Sequence, residues 1–473
     1  MIKTAHLLWA LAGLSSVAAL LAAGHAVIYK RDPRSATLWV LLIALLPALG
    51  PLLYVLFGIN RTQRRAQRLR SESAALPPLQ TDAAVQLPES WRGFAHLVGR
   101  LTCLPLTAGN RITALVGGAD AYPAMLQAID SARHSVALAT YIFDGQGIGE
   151  CFVAALARAQ ARGVQVRVLI DDVHVRLSRG SAYRALVHAG VPVASFNATV
   201  IPARLHAMNL RNHRKILVVD GALGFTGGMN VQRPYFRPDA PAQALRDLHF
   251  RVEGPVVAQL RQTFARDWAD TTNEALEAAF WGAEPAPLAA GAALARCIEA
   301  GPDETVDRLR WTFLGALATA RERVCIWTPY FLPDQALVAA LSAAALRGVA
   351  VKVLTPAVSD HAFVRWAARA QFWQVLEHGA RIFERLGPFD HSKLLLVDGT
   401  WACIGSANWD ARSLRLNFEL NMEVYDQAFC AQLQRVFDAA CAQACEVDVQ
   451  QLNGRPLPVK LRDGIARLFT PIL

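Results

Sequence analysis

Apolar positions follow two different patterns along this chain. From Ala5 to Tyr29, and again from Ser35 to Asn60, 25 and 26 residues pass without an Asp, Glu, Lys or Arg. A helix over either stretch is long enough to cross a hydrocarbon layer of about 30 Å. The short segment "KRDPR" (Lys30–Arg34) between them predicts a two-helix hairpin. Pro47, Gly50 and Pro51 are expected to bend its second helix, which a membrane span tolerates better than a soluble helix. A cleaved signal peptide is the alternative for the first stretch, and the second apolar span directly behind it argues against that. Further along, apolar runs shorten to strand length and alternate with helix-like segments.

That second region repeats itself. "TYIFDGQGIG" (from Thr140) is matched by "PYFLPDQAL" (from Pro329), and "ARGVQVRVLIDD" (from Ala161) by "LRGVAVKVLTPA" (from Leu346). "LVHAGVPVASF" (from Leu186) is matched by "VLEHGARIFER" (from Val375). Each half then reaches "NHRKILVVDG" (from Asn212) or "DHSKLLLVDG" (from Asp390). Each half reads as strand, helix, strand, helix, strand, then a strand opening on His and Lys. This alternation predicts an α/β fold with a largely parallel sheet. Two similar halves of domain size predict a pseudo-two-fold pair with a site at the seam.

The repeated motif is H-x-K-x4-D followed by a glycine turn and an asparagine. His213, Lys215 and Asp220 lead to Gly227, Gly228 and Asn230; His391, Lys393 and Asp398 lead to Gly405, Ser406 and Asn408. Residues i and i+2 of a strand share a face, so the His and the Lys project together, with Arg214 on the opposite side. Asp220 has the other parity and falls in a "VDG" turn, as a brace at the strand end. One such motif could be an ordinary charged strand end; two in matching context mark a functional site.

Charge changes the picture at the N-terminus only. The net charge is +10. Residues 1–70 carry nine Lys/Arg and one acid; the remainder carries 39 basic and 37 acidic side chains. The repeats are therefore near neutral overall, which weakens a nucleic-acid reading. "RTQRRAQRLR" (Arg61–Arg70) follows the hairpin. The positive-inside tendency puts it, the N-terminus and the repeats in the cytoplasm. "SESAALPPLQTDAAVQLPES" (Ser71–Ser90) reads as a linker. In the tail "VKLRDGIARLF" (Val459–Phe469), Leu461, Ile465, Leu468 and Phe469 share one helical face, expected to pack on the domain, with lying on a membrane as the alternative. The eight Cys show no metal-type spacing and fit a reducing compartment.

Two imidazoles and two ammonium groups around one small volume suit a phosphodiester. The lysines stabilise the non-bridging oxygens, one imidazole attacks phosphorus, and the other protonates the leaving alcohol and then takes a proton from the incoming nucleophile. No metal or other cofactor is required. Each imidazole needs an acceptor on its other nitrogen. Asp247 in "LRDLHFRVEGP", 34 residues after His213, and Glu419 in "RLNFELNMEV", 28 residues after His391, are the candidates. Asn230 and Asn408 could donate to phosphate or close the glycine turns.

The doubled motif resembles the phospholipase D superfamily. "PLTAGN", "YIFDGQG", "NLRNHRKILVVDG", "RDLHFRVEGP", "TPYFLPDQAL" and "SANWDARSLRLNFE", with the hairpin ending "PLLYVLFGINRTQRR", resemble its bacterial cardiolipin synthase branch. The resemblance covers nearly the whole chain, least so in the linker and Glu277–Cys297. It implies two phospholipase D-like repeats behind a transmembrane hairpin. It also implies transfer of a phosphatidyl group between two phosphatidylglycerol molecules, giving cardiolipin and glycerol through a phospho-histidine. His213 and His391 would be the catalytic pair, with His213, the first-half histidine, as nucleophile. Lys215 and Lys393 would bind phosphate, Asp220 and Asp398 would complete the motifs, and Asp247 and Glu419 would orient the histidines. Ser406 would join Asn230 and Asn408 at the phosphate, whereas Gly228 stands where many relatives have Ser. Ser392, often Ala in the family, faces away from the site.

The expected organisation is a hairpin and basic segment over 1–70, a linker and lead-in over 71–105, and repeats over 106–290 and 291–473. The expected partners are phosphatidylglycerol, cardiolipin and membrane lipids, at a bacterial inner membrane crossed more than once. A hydrolase of the same superfamily, a phospholipase D or nuclease with water as acceptor, is the first alternative. A non-catalytic lipid-binding scaffold is the second, and the intact motifs in both halves argue against it.

Overall fold

The computed structural model describes residues 2–30, 33–58, 87–177, 180–197, 210–282, 291–303 and 305–470. The Arg run at 61–70, the linker up to residue 86 and part of "KRDPR" lie outside them. The chain forms two compact units, Met1–Arg65 and Ala66–Leu473.

In the first unit, helix α1 (Ile2–Tyr29) contains an 18-residue apolar window, Ala12–Tyr29, able to span a membrane. The second apolar stretch departs from expectation. Helix α2 (Pro33–Leu45) has 13 residues, about 20 Å at 1.5 Å per residue and short of the hydrocarbon thickness. A turn around Pro47 ends it, because proline lacks the N–H that the next helical bond needs. The short helix α3 (Gly50–Leu53) and a π-helical turn (Tyr54–Gly58) follow. A Cβ on Gly50 would lie 2.6 Å from the Ile43 Cα, so only glycine permits this close return. Tyr54 fixes the fold-back, its hydroxyl 2.8 Å from the His25 Nδ1 and its ring edge-on to Trp39.

The second unit is built on one continuous sheet. The first half supplies β1 (Thr107–Val116), β2 (Ser135–Thr140), β3 (Gln165–Asp171), β4 (Val193–Phe196), β5 (Arg211–Asn212), β6 (Ile216–Val219), β7 (Leu223–Gly227) and β8 (Leu248–Glu253). The second supplies β9 (Ala293–Ala300), β10 (Arg323–Trp327), β11 (Ala350–Pro356), β12 (Arg381–Arg385), β13 (Leu394–Val397), β14 (Trp401–Gly405), β15 (Asn417–Tyr425) and β16 (Ala444–Glu446). The order is β4-β3-β2-β6-β7-β8-β1 in the first half and β12-β11-β10-β13-β14-β15-β9 in the second, with β16 beside β12. The halves join where β1 pairs antiparallel with β9.

The strand pattern corrects the expected parallel sheet. Only β2-β3-β4 and β10-β11-β12 are parallel within each half. Each His-Lys strand enters antiparallel to β2 or β10 and continues through tight hairpins. The "VDG" turns cause this: Asp220 and Gly221 have φ of 50° and 61°, Asp398 and Gly399 of 52° and 63°, the left-handed values of a reversing turn. Gly227 and Gly405, at φ 151° and 148°, admit the next strand so closely that a Cβ would lie 2.6 and 2.4 Å from the carbonyl oxygens of Leu248 and Leu420.

The seam is a shared core. Phe250, Phe264, Ile298, Ile404 and Leu420 are buried in two clusters that together run through both halves. The lead-in helix Glu89–Thr102 packs on the second half: Trp91 meets Tyr425, Phe94 meets Trp401, and the Arg296 guanidinium donates to the Ala95 carbonyl at 2.7 Å. The tail reverses its expected orientation. In helix Leu457–Arg467, Asp463 and Ala466 are buried, while Leu461, Ile465 and Leu468 are 58%, 57% and 73% exposed. Asp463 takes the Arg455 and Arg462 guanidinium groups, and Arg462 lies 4.4 Å over the Trp366 ring. These contacts hold the polar face inward.

Candidate active site

His213 and His391 meet at the seam with ring centroids 6.4 Å apart and planes at 83°. Their orienting carboxylates cross between the halves. The Nδ1 of His213 is 2.9 Å from the Glu419 Oε2, and the Nδ1 of His391 is 2.9 Å from the Asp247 Oδ2. Pairing each histidine with the carboxylate that follows in its own half is therefore wrong. The backbone gives the reason. β5 runs parallel to β15, and the His213 N–H donates to the Phe418 carbonyl at 2.8 Å. A parallel bridge joins Arg246 to Asp390, and the His391 N–H donates to the Arg246 carbonyl at 2.8 Å. In both cases the accepting residue precedes the carboxylate of the opposite half.

Each carboxylate is held by further donors. Glu419 accepts from the Ser406 hydroxyl at 2.6 Å and from the Asn417 amide at 3.1 Å. Asp247 accepts from the Leu248 N–H at 2.7 Å and from Tyr235. The Tyr235 hydroxyl also lies 3.1 Å from the His391 Nδ1. The Ser406 hydroxyl, expected at the phosphate, thus positions Glu419 instead. A Cβ at Gly228 would lie 2.3 Å from the Asp247 Oδ1, so glycine there leaves room for that carboxylate.

Lys215 and Lys393 project beside the histidines. The Lys215 Nζ donates to the His213 carbonyl at 2.7 Å and lies 5.7 Å over the Tyr141 ring; the Lys393 Nζ donates to the His391 carbonyl. Arg214 points the other way, fully buried and paired with Asp267 at 2.6 Å. Asp220 and Asp398 do not join the histidines. Asp220 accepts backbone N–H groups of Arg133, His134 and Ser135; Asp398 accepts those of Arg321, Glu322 and Arg323. They brace the entries to β2 and β10. The Asn230 Oδ1 caps the Ile142 N–H at 3.2 Å, and the Asn408 side chain bonds to Asp410.

Burial dominates the electrostatics. It lowers both histidines well below their ordinary range, with further lowering from Lys215 and Lys393. It lowers Lys215 to about 7 and Lys393 to about 8, against the raising pull of Glu419 and Asp247. It raises Asp247 and Glu419 to about 7, against the lowering pull of the lysines. Among the described residues no three His, Cys, Asp or Glu side chains are grouped to hold a metal.

Three aromatic residues escaped the sequence reading. Tyr141 packs edge-on to His213, and Tyr330 stacks at a tilt on Phe389, itself 5.8 Å from His391. These two occupy matching places in "TYIFDG" and "PYFLPD", so the repeat carried a signal for them. Tyr235 had none, because no tyrosine takes its place in the second half.

The family described as "Cardiolipin synthase, PLD-like domain" matches residues 125–268 and 313–441, and "Phospholipase_D-nuclease N-terminal" matches 17–58. Cardiolipin synthase A of Pseudomonas entomophila is 34% identical over 476 residues, covering 98% of each chain. Cardiolipin synthase of Geobacillus thermodenitrificans is 32% identical over 451 residues, covering 94% of this chain and 90% of its own. Among solved structures, phosphatidylserine synthase of Haemophilus influenzae shares the fold, with a TM-score of 0.63 at 15% identity over 82% of this chain and all of that one.

Proposed function

Since the chain belongs to the cardiolipin synthase family of the phospholipase D superfamily, a phosphatidyltransferase family, we propose that it transfers a phosphatidyl group between two phosphatidylglycerol molecules, giving cardiolipin and glycerol. The observation that carries this reading is the imidazole pair set edge-on across the seam, each ring held at Nδ1 by a carboxylate. That arrangement leaves both Nε2 atoms as the reacting nitrogens.

In the first step the His213 Nε2 attacks phosphorus, the bond from phosphorus to the glycerol headgroup oxygen breaks, and His391 gives its proton to that oxygen. In the second, the headgroup hydroxyl of another phosphatidylglycerol gives its proton to His391 and attacks phosphorus, and the P–N bond breaks. Lys215 and Lys393 turn from the histidine carbonyls to the non-bridging oxygens. In the empty site the low histidine pKa favours neutral imidazoles; the entering phosphodiester anion raises His391 toward its acid form. Asp220 and Asp398 act as braces in this scheme, and Asn230 and Asn408 shape the glycine turns.

The enzyme works at a membrane. We place it in the bacterial inner membrane, with α1 as the crossing, the folded-back stretch Pro33–Gly58 packed beside it, and the Arg run, by the positive-inside tendency, on the cytoplasmic side. This divides the chain into an anchor (1–70), a connector (71–105) and two repeats (106–290 and 291–473). Membrane lipid is also the occupant we assign to the exposed tail face. Lys460 and Arg467 flank it, which suits anionic headgroups. Phe469 packs on Phe363, just beyond Asp360, which accepts from the Tyr330 hydroxyl near His391.

The deciding experiment incubates the purified full chain with phosphatidylglycerol and identifies the products. Cardiolipin with one equivalent of glycerol supports transfer. Phosphatidate with glycerol and no cardiolipin would establish the hydrolase reading.

A further inference from the structure

Behind His391 the pseudo-two-fold fails. In the first half the residue after the histidine is Arg214, whose guanidinium lies 5.6 Å over the Phe418 ring, with Nε donating to the Glu419 carbonyl and Nη1 to Asp267. One buried cation, one carboxylate and one ring fill the space. In the second half the matching residue is Ser392, whose hydroxyl turns to Asp390 at 2.7 Å. A cavity of about 350 Å³ remains, lined among others by Arg237, Arg246, Arg385, Trp327 and Asp247.

Two of those arginines stand where the surroundings of His213 have phenylalanine. Arg246 takes the place of Phe418: each directly precedes an orienting carboxylate and accepts the N–H of a catalytic histidine. Arg385 takes the place of Phe196: each ends the register of the third parallel strand of its half, opposite Pro356 and Asp171 respectively. The exchange concentrates positive charge. Arg385 has Asp390 at 2.6 Å, whereas Asp247 is already engaged by His391, Tyr235 and Leu248. Among the described residues Arg246 reaches only the Leu386 carbonyl at 3.0 Å, and Arg237 only the Gln243 amide oxygen at 3.4 Å. The Trp327 Nε1 and the Arg385 Nε are buried without an acceptor. Trp327 is 3% exposed, so its orphaned N–H carries a full desolvation cost. Burial and the neighbouring Arg385 charge also lower the Arg246 pKa, against the raising pull of Asp390.

We propose that this cavity is a binding site for a phosphate-bearing anion, separate from the His-Lys centre. Guanidinium forks match the oxygens of a phosphate group, and a buried N–H adds a third kind of donor. The volume falls in the range of small-ligand sites, about 300–1,000 Å³, with room for a glycerol-sized substituent. A lipid headgroup and free phosphate share this chemistry. An occupant would also bear on catalysis, because the Arg246 carbonyl holds the His391 N–H and the adjacent Asp247 orients its ring.

The test reads binding alone and so is independent of the transfer reaction. Labelled inorganic phosphate is titrated against the full chain in detergent, with Lys215→Met and Lys393→Met removing the anion site of the catalytic centre. One phosphate per chain should remain. Adding Arg246→Gln and Arg385→Gln should weaken that binding at least tenfold, and Arg237→Gln alone, a substitution at the cavity rim, should weaken it less. A melting curve confirms that each variant is folded. Displacement by micelles containing phosphatidylglycerol, but not by phosphatidylcholine micelles, assigns the site to a lipid headgroup; no displacement by either assigns it to free phosphate. Loss of all phosphate binding with the lysine changes, or binding unaffected by the arginine changes, overturns the proposal.

Discussion

Glu419 holds the Nδ1 of His213 across 206 residues of sequence and across the seam between the halves. The catalytic imidazole of one half is thus oriented by the carboxylate of the other, and the reverse pair, His391 with Asp247, repeats the relationship. Neither half holds a complete histidine–carboxylate unit, so activity requires both halves to be docked.

Glu419→Gln and Asp247→Asn should each lower kcat by roughly 10²–10⁴-fold, the scale expected when an orienting carboxylate of a catalytic histidine becomes an amide. The crossed pairing makes the distinguishing forecast. Glu419→Gln should slow attack by His213, seen as less phosphatidyl label trapped on that residue in the first turnover. Asp247→Asn should spare the trapped label better and slow the steps that need the His391 proton. Rapid-quench measurements on both variants check this, and the opposite assignment of effects would restore pairing within each half.

Part of this architecture is legible without coordinates. The i, i+2 spacing of His213 and Lys215 puts them on one face and Arg214 on the other, and a repeated motif implies a repeated fold. The crossed pairing is not legible, because it depends on β5 joining β15 and on the Arg246–Asp390 bridge, both contacts between distant segments. The mixed sheet was hidden for a similar reason: strand-helix alternation describes β2 to β4 and stops describing the chain at the "VDG" hairpins. Amphipathicity marked the apolar face of the tail, but it carries no information on which face meets the protein. Asp463 decides that, by drawing Arg455 and Arg462 to itself.

Asp220→Asn and Asp398→Asn should destabilise the fold and spare the chemistry. Each aspartate accepts three backbone N–H groups at the entry to a core strand, and weakening such charge-assisted bonds costs about 1–3 kcal/mol. A lower melting temperature with kcat within about threefold of the parent, assayed below the transition, is the expected outcome. A large loss of kcat in a variant with an unchanged melting curve would return these residues to the reaction itself.

The pH dependence of kcat/KM should be a narrow bell centred near neutrality. On the alkaline side Lys215, lowered to about 7, and Lys393, lowered to about 8, lose the charge that binds phosphate; a lowered pKa means the cation is present below that value and lost above it. On the acid side Asp247 and Glu419, raised to about 7, gain protons and no longer accept from the histidines as anions. The limbs belong to a coupled group and report apparent values. Lys215→Arg, which keeps its charge where the lower-titrating lysine stood, should move the alkaline limb upward in whatever activity remains. An unmoved limb would assign it to another group.

Placing Asp at Leu461 and Ile465 should raise the KM for phosphatidylglycerol presented in vesicles, by roughly tenfold if two side chains' worth of apolar contact is lost. Turnover of a short-chain phosphatidylglycerol, dissolved as monomers, should stay unchanged, since both residues lie on an exposed face outside the site. Equal loss on both substrates would mean that the face supports the fold.

The roles within the histidine pair give the last forecast: His213 is the nucleophile and His391 the acid and base. The family resemblance favours the first-half histidine. The structure supplies a further reason. Glu419, which guides His213, is itself fixed by Ser406 and Asn417, and a nucleophile must hold one orientation through both displacements. His391 shares its Nδ1 neighbourhood between Asp247 and the Tyr235 hydroxyl, a setting that follows a changing charge on the ring. Acid quench of the enzyme mixed with phosphatidylglycerol labelled at the phosphate should therefore trap label on the peptide containing His213. His391→Ala should retain some of that label while losing steady-state turnover, and His213→Ala should trap none. Label found only on the His391 peptide would reverse the roles. Equal label on both would show that either half can begin the reaction, and the differing surroundings of Glu419 and Asp247 would then have no bearing on which imidazole attacks.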